Sequence, residues 1–250
     1  MKKRCLYRNS RLRPMIRFIC LNIFIFFHSL VFSLWAILLS FFDRSGKLGH
    51  FYCAVPWAKV VLWICGVKVD VKGLENVDSE IPRIYVTNHQ SYFDIFALFA
   101  YLPVSFRFVL KQELMKIPLF GFAIKSSGHV ALDRTDHRKA VKSMDEAAEK
   151  MKKGASMLIF PEGTRSQDGR LQPFKNGGFR LALKAGFDIV PVAIINSRHI
   201  VPKGSLRINK GTFGLHIGKP ISVKDYSKKD VDRLMNRVRD AIMSQMGEGK

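Results

Sequence analysis

The sequence predicts an α/β domain with a mixed central sheet flanked by helices, preceded by an N-terminal membrane-associated segment of two helices. Three observations predict it. Residues 18–42 are 25 consecutive positions without a charged side chain. Beyond residue 67, apolar runs of strand length alternate with helical periods, the pattern of a layered α/β fold. The 250 residues suffice for one sizeable domain with an appendage, and neither an internal repeat nor a low-complexity linker divides them. Residues 1–67 are therefore assigned to a basic arm and a membrane-associated helical hairpin, and residues 68–250 to the α/β domain.

The arm comes first. Lys2, Lys3, Arg4, Arg8, Arg11, Arg13 and Arg17 give residues 1–42 a charge of +7 with no acid, out of +21 for the chain. Such an excess calls for a polyanionic neighbour. Nucleic acid is set aside, because no helix-turn-helix, zinc-spacing or aromatic ribonucleoprotein pattern occurs. Anionic membrane lipid fits better, at about 1 kcal/mol per Lys or Arg near the surface. As a helix, residues 18–42 would measure about 37 Å against a hydrocarbon core of about 30 Å, long enough to span with tilt. A signal peptide's apolar region is shorter and ends in a small-residue cleavage site, which is missing here.

A polar turn at residues 43–49 leads to a second apolar piece, residues 51–67, interrupted by Pro56 and Lys59. It reads as an amphipathic or re-entrant segment rather than a full crossing. A basic N-terminus stays cytoplasmic. A hairpin therefore keeps the globular part on the cytoplasmic face of the cell (inner) membrane. Cys5, Cys20, Cys53 and Cys65 all lie in this region, with neither a disulfide framework nor a metal spacing.

In the globular part, residues 81–87, 106–110, 129–132, 157–160 and 189–194 read as buried strands. Val141, Met144, Ala148 and Met151 recur at helical steps, with Gly154 placed to cap. Another helix starts near Asn176. The last runs from about Ser227, with Val231, Leu234, Val238 and Ile242 on one face. Residues 206–220, punctuated by Gly211, Gly214 and Gly218, read as a hairpin or pair of strands.

Two strings carry the chemistry. Asn88-His89-Gln90-Ser91-Tyr92-Phe93-Asp94 follows a predicted strand and opens a helix. Five residues of regular helix turn through about 140°. His89 and Asp94 can meet only if His89 sits in the strand-to-helix turn and Asp94 in the first turns, with Asn88 and Ser91 available as caps. A carboxylate on one ring nitrogen fixes the imidazole tautomer and leaves the other nitrogen as a base. The same residues also describe a capping Asn beside a solvated His and Asp. No Gly-x-Ser-x-Gly elbow is present and residues 68–250 hold no cysteine, which disfavours a covalent acyl-enzyme. A His–Asp pair without a protein nucleophile deprotonates a substrate hydroxyl or water. The seven histidines are scattered and no His-Glu-x-x-His occurs, so no metal site is expected.

Phe160-Pro161-Glu162-Gly163-Thr164-Arg165-Ser166 ends a strand at a proline and turns at Gly163. Gly163 lets backbone amides approach an anion, Arg165 offers a planar fork, and Glu162 an acceptor for a hydroxyl. A surface turn with an Arg–Glu pair is the alternative. Arg134 follows another strand end, as a phosphate contact or as a partner of Asp133. Ligands of open α/β sheets gather at the carboxyl ends of strands, the rim these residues share.

Four blocks in order resemble the membrane glycerolipid acyltransferases, the 1-acyl-glycerol-3-phosphate acyltransferase family. They are Asn88-His89-x4-Asp94, then Lys111-x-Glu113-Leu114-x3-Pro118-x2-Gly121 leading to Gly128-x4-Asp133-Arg134, then Phe160 through Arg165, then Val190-Pro191-Val192. The resemblance covers roughly residues 68–222. It implies that His89 is a general base and Asp94 its orienter, and that Glu162, Gly163, Thr164, Arg165 and Arg134 form a glycerophosphate site. Lys111 or a nearby backbone amide is the candidate for the oxyanion. The implied donor is acyl-CoA or acyl carrier protein, the acceptor lysophosphatidic acid, the product phosphatidic acid, and no cofactor is needed. The family's N-terminal helix pair resembles residues 15–67, although the first segment here is long for an interfacial helix. Two rivals stand beside this reading: an acyltransferase for another lysolipid, such as a lyso-ornithine lipid, and a catalytically silent membrane-tethered anion-binding protein.

Overall fold

In the computed structural model, which describes residues 2–43, 45–133 and 136–247, all but the last two residues of the uncharged run lie in one helix, α1 (Lys2–Ser40). After a turn, a second helix starts as α2 (Lys47–Gly49), passes through a π turn (His50–Ala54) and continues as α3 (Val55–Cys65). The Asp43 carboxylate starts it, accepting from the Ser45 and Leu48 amides at 2.7 Å each. Pro56 and Lys59 do not break this helix. Proline sits in the first turn of α3, where a missing N–H leaves no bond unmade, and Lys59 points to the exposed side. Gly66, at φ 69°, ends it in the left-handed conformation that glycine adopts without strain.

The two helices form a hairpin packed on the domain. Trp57 Nε1 donates to Ser29 Oγ at 3.1 Å, and Cys53 Sγ to the Phe32 carbonyl at 3.0 Å. Arg17, counted above in the basic arm, turns inward and donates to the carbonyls of Ile208 at 2.9 Å and Cys65 at 3.0 Å. Both helices are long and apolar enough to cross a membrane. Large side chains stay uncovered on the hairpin, including Phe41 and Phe42 in the turn after α1 at 77% exposure and Trp63 of α3 at 78%.

The sheet has seven strands in the order β1-β7-β6-β2-β5-β3-β4. They are β1 (Val67–Lys72), β2 (Ile84–Thr87), β3 (Phe106–Lys111), β4 (Val130–Leu132), β5 (Ser156–Ile159), β6 (Ile189–Ile195) and β7 (Gly211–Ile217). β2 to β6 run parallel, whereas β7 is antiparallel to β6 and carries β1 parallel to itself. The sheet is thus mixed, as expected. All five parallel strands end on one rim.

Two differences from the sequence reading concern the sheet edge. β1 was not expected. Its Val67, Val69 and Val71 alternate with Lys68, Asp70 and Lys72, but Val67 also closes the preceding apolar run and masks the change of period. Residues 206–220 yield the single strand β7 instead of a hairpin, because its partners come from β1 and β6 rather than from its own neighbourhood.

Helices cover both faces. Tyr85 points to one core with Ala58, Val61 and Leu62 of α3 and with Ala97 and Leu98 of α4 (Phe93–Tyr101). Ile84 and Val86 point to the other, against α6 (His137–Lys152), α7 (Gly177–Ala185) and α8 (Val231–Met246). Met151, Phe179, Leu234, Val238 and Ile242 are fully buried there, each contributing about 1.5–3 kcal/mol of apolar burial. α8 begins four residues after Ser227, whose N–H and O–H both bond Asp230 in the turn before it. The short α5 (Phe120–Ser126) packs against α1.

Candidate active site

β2 delivers the first string to the rim. The Asn88 side chain does not cap a helix. It exchanges both hydrogen bonds with the Ile194 backbone, at 2.8 and 2.7 Å, and fixes the turn to β6. Ser91 Oγ accepts from the Phe93 amide at 3.3 Å and donates to the Val201 carbonyl at 3.1 Å. His89 lies in the turn and Asp94 is the second residue of α4, the one arrangement in which they can meet.

They do meet. His89 Nδ1 lies 2.8 Å from Asp94 Oδ2. The same oxygen accepts from the amides of Gln90 at 2.7 Å and Ser91 at 2.9 Å, while Asp94 Oδ1 accepts from the Ser197 hydroxyl. Asp94 is completely buried. A carboxylate only accepts, so Nδ1 carries the proton and Nε2 keeps its lone pair. The imidazole lies flat on Phe160, with ring centres 4.1 Å apart.

The second string wraps the first. Ser166 N–H donates to the His89 carbonyl at 2.7 Å. Glu162 is 5% exposed and accepts from the His89 amide at 2.7 Å and the Gln172 amide at 3.1 Å. Burial, opposed by these two bonds, pushes its carboxyl up to about 7. Gly163 turns the chain at φ 75°. The Arg165 guanidinium lies over the Tyr92 ring, 3.7 Å from its centre, and its buried Nη1 has no hydrogen-bond partner among the described residues. A buried guanidinium nitrogen left unsatisfied is costly.

A cavity of about 340 Å³ opens here. His89, Tyr92, Gly163, Thr164, Arg165 and Lys111 line one part of it. Ser29, Phe32 and Ala36 of α1, Trp57 of α3, and Ala123 and Ile124 of α5 line another. Phe160 and Phe108 stack 5.9 Å apart along one wall, with Phe99 edge-on to Phe108 at 5.4 Å. His129 also faces the cavity. Its Nδ1 accepts from the Phe108 amide at 3.0 Å, and burial beside Arg107 pushes its ring down to about 3, so it stays neutral. Buried Arg107 donates to the carbonyls of Ser45 and Phe106, anchoring the interhelical turn on β3.

The structure therefore brings together His89, Asp94, Gly163, Thr164, Arg165 and Lys111. Lys111 pairs with Glu113 at 3.0 Å, both side chains more than half exposed. Glu162 stands behind this group and does not line the cavity. Arg134 lies outside the described residues, and Asp133 pairs with Lys139 at 3.5 Å. Among the described residues, no cluster of three His, Cys, Asp or Glu side chains is placed to hold a metal ion. Sequence reasoning missed Ser197, Tyr92 and the role of Ser166. Ser197 follows Asn196, whose left-handed φ of 64° turns the end of β6 towards Asp94; a lone Asn-Ser pair gives no hint of this.

Residues 68–195 match the family model described as Acyltransferase. The chain belongs to this acyltransferase family. It is 41% identical over 207 residues to a chloroplastic 1-acyl-sn-glycerol-3-phosphate acyltransferase of Brassica napus, covering 82% of this chain and 58% of the relative. It is 32% identical over 198 residues to the 1-acyl-sn-glycerol-3-phosphate acyltransferase of Pseudomonas aeruginosa, covering 77% of this chain and 76% of that one. The crystal structure of the 1-acyl-sn-glycerophosphate (LPA) acyltransferase of Thermotoga maritima superposes with a TM-score of 0.79 at 29% identity, covering 94% of this chain and 97% of that chain. The chain spans a little under three-fifths of the length of the chloroplastic relatives it matches.

Proposed function

We propose that this family member transfers a fatty acyl group from an acyl thioester to the free hydroxyl of 1-acyl-glycerol-3-phosphate, giving phosphatidic acid. The observation that carries the reading is the Asp94-bound His89 on the wall of an apolar cavity, beside an Arg165 nitrogen with no hydrogen-bond partner among the described residues. A base, a guanidinium beside it and an apolar chamber together suit a lipid with a hydroxyl and a phosphate. The names of the relatives point to the same acceptor.

In this reaction His89 Nε2 takes the hydroxyl proton as the glycerol oxygen attacks the thioester carbonyl. Asp94, held by its three other donors, keeps the ring oriented and stabilises the imidazolium. The tetrahedral oxyanion needs donors. Lys111 on the cavity wall is one candidate, once it exchanges Glu113 for the substrate. Collapse breaks the carbon–sulfur bond and releases the thiolate of coenzyme A or acyl carrier protein, which recovers the proton from His89. Arg165 and the Gly163–Thr164 backbone bind the phosphate, with help from Arg134. The acyl chain lies along the aromatic wall beneath α1. Residues 1–67 anchor the enzyme as a hairpin in the inner membrane, with residues 68–250 on its cytoplasmic face.

The test is purified protein with lysophosphatidic acid as acceptor and acyl-CoA or acyl carrier protein thioester as donor. Formation of phosphatidic acid with one of the two donors is expected. Transfer to a lyso-ornithine lipid in its place would move the reading to another lysolipid, and thioester left intact with every acceptor would end it.

A further inference from the structure

The family resemblance and the Phe-Pro-Glu-Gly-Thr-Arg string set Glu162 among the groups that touch the acceptor. The geometry points to a different assignment: Glu162 is a positioning residue that holds the His89 peptide in place, and the acceptor never reaches it. This rests on the acyl-transfer reading of the site and refines which residues act on the substrate.

Four observations carry it. Both carboxylate oxygens are committed, one to the His89 amide at 2.7 Å and the other to the Gln172 amide at 3.1 Å. Glu162 is 5% exposed and absent from the cavity wall, although its neighbours Gly163, Thr164 and Arg165 all stand on that wall. Ser166, at the other end of the same turn, donates to the His89 carbonyl at 2.7 Å, so the residue is gripped at its N–H and its C=O by one loop. Behind Gln172, Arg239 of α8 donates to the Gln172 carbonyl at 3.2 Å and the Leu171 carbonyl at 3.4 Å. A chain of bonds thus runs from α8 through Gln172 and Glu162 to the backbone of His89.

The chemistry needs such a grip. Asp94 holds the ring at Nδ1 and Phe160 backs its face, but neither contact sets where the backbone carries the ring. Holding the peptide fixes where Cα and Cβ stand and hence where Nε2 points. Two charged groups flank the carboxylate, Asp94 on the side of α4 and Arg239 on α8, with opposite effects on its ionisation. Burial, the larger effect, favours the neutral form, and the two backbone donors oppose it.

Glu162→Gln is the first variant. Its amide has one acceptor oxygen where two N–H groups require acceptors, so one of the two bonds is lost. We expect kcat to fall roughly 10- to 100-fold, the scale for a displaced catalytic group, with KM for lysophosphatidic acid changed less than about twofold. The His89→Ala/Glu162→Gln double variant should be no slower than His89→Ala alone. Glu162→Asp keeps the charge but withdraws it by one methylene, and should show the same pattern should the glutamine variant not fold. An independent readout is the 15N imidazole spectrum of His89 in detergent-solubilised protein, assigned with His89→Gln. Its Nδ1 and Nε2 signals should move from their wild-type positions in Glu162→Gln or Glu162→Asp. A tenfold rise in KM with kcat unaltered, losses that multiply with His89→Ala, or an unmoved imidazole spectrum would each overturn the assignment. Wild-type protein inactive on lysophosphatidic acid would instead reject the acyl-transfer reading, and the imidazole spectrum would still decide the role of Glu162.

Discussion

Replacing Asp94 by Asn changes one charge and little else, because the surroundings dictate how the amide must lie. Three donors converge on Asp94 Oδ2: His89 Nδ1 at 2.8 Å and the Gln90 and Ser91 amides at 2.7 and 2.9 Å. The two backbone N–H groups cannot rotate or accept, so the asparagine must put its oxygen there and its NH2 toward Ser197, whose hydroxyl can turn to accept. The histidine tautomer is therefore kept, and only the stabilisation of the imidazolium by a negative charge is lost. A unit charge about 4 Å from the ring centre, at an effective dielectric of about 20, is worth about 4 kcal/mol. That converts to about a 10³-fold fall in kcat. Thiol release from acyl-CoA in the presence of lysophosphatidic acid measures it, and KM for both substrates should change less than about threefold. Asp94→Ala should fall further and melt earlier, because it strands two buried amides and the Ser197 hydroxyl. A loss below tenfold in Asp94→Asn would show that the carboxylate does not act through His89.

Three further outcomes follow from the same geometry. Arg165→Ala should raise KM for lysophosphatidic acid at least tenfold with little change for the thioester, and Arg165→Lys should rescue it only in part, since a point charge replaces a planar fork; a larger effect on the donor would assign the cation to coenzyme A phosphates. Glu162 holds a proton in the folded protein from its ordinary value near 4.5 up to about 7, so the stability it contributes is full below about 4.5 and is lost as pH rises toward 7, by at most about 3 kcal/mol; chemical denaturation at several pH values should show wild type losing stability relative to Glu162→Gln across that window, and a flat difference would contradict it. Ser227→Cys in a background lacking Cys5, Cys20, Cys53 and Cys65 should resist a membrane-impermeant maleimide until cells are lysed; labelling of intact cells would put the catalytic domain outside and the thioester donor out of reach.

Much of the fold was legible because its signals are local. The recurrences at 144, 148 and 151 and at 231, 234, 238 and 242 mark the faces of α6 and α8 that cover one side of the sheet, whereas Val141, expected on the same face, stands 45% exposed. The apolar runs mark the parallel strands. What was not legible depended on distant partners. β7 is a strand because β1 and β6 flank it, and nothing within residues 206–220 names them. The His89–Asp94 contact could be read as a condition on where the helix starts. The placement of Glu162 could not, since whether a carboxylate faces a cavity or a backbone amide depends on the twist of the loop around it. Ser197 approaches Asp94 from 103 residues away, a separation no motif records.

The attachment of α1 bears on how the protein would sit in lipid. Arg17 pins α1 to Cys65 and Ile208, and at the far end Arg107 holds the turn that follows it through the Ser45 carbonyl. An apolar helix free at its ends meets a thicker or thinner bilayer by changing its tilt. One clamped at both ends cannot do so without carrying the whole domain with it. Any mismatch in thickness would then be taken up by the lipid around the hairpin or by a rocking of the active-site mouth against the surface, making turnover sensitive to acyl length in the host membrane as well as in the substrate.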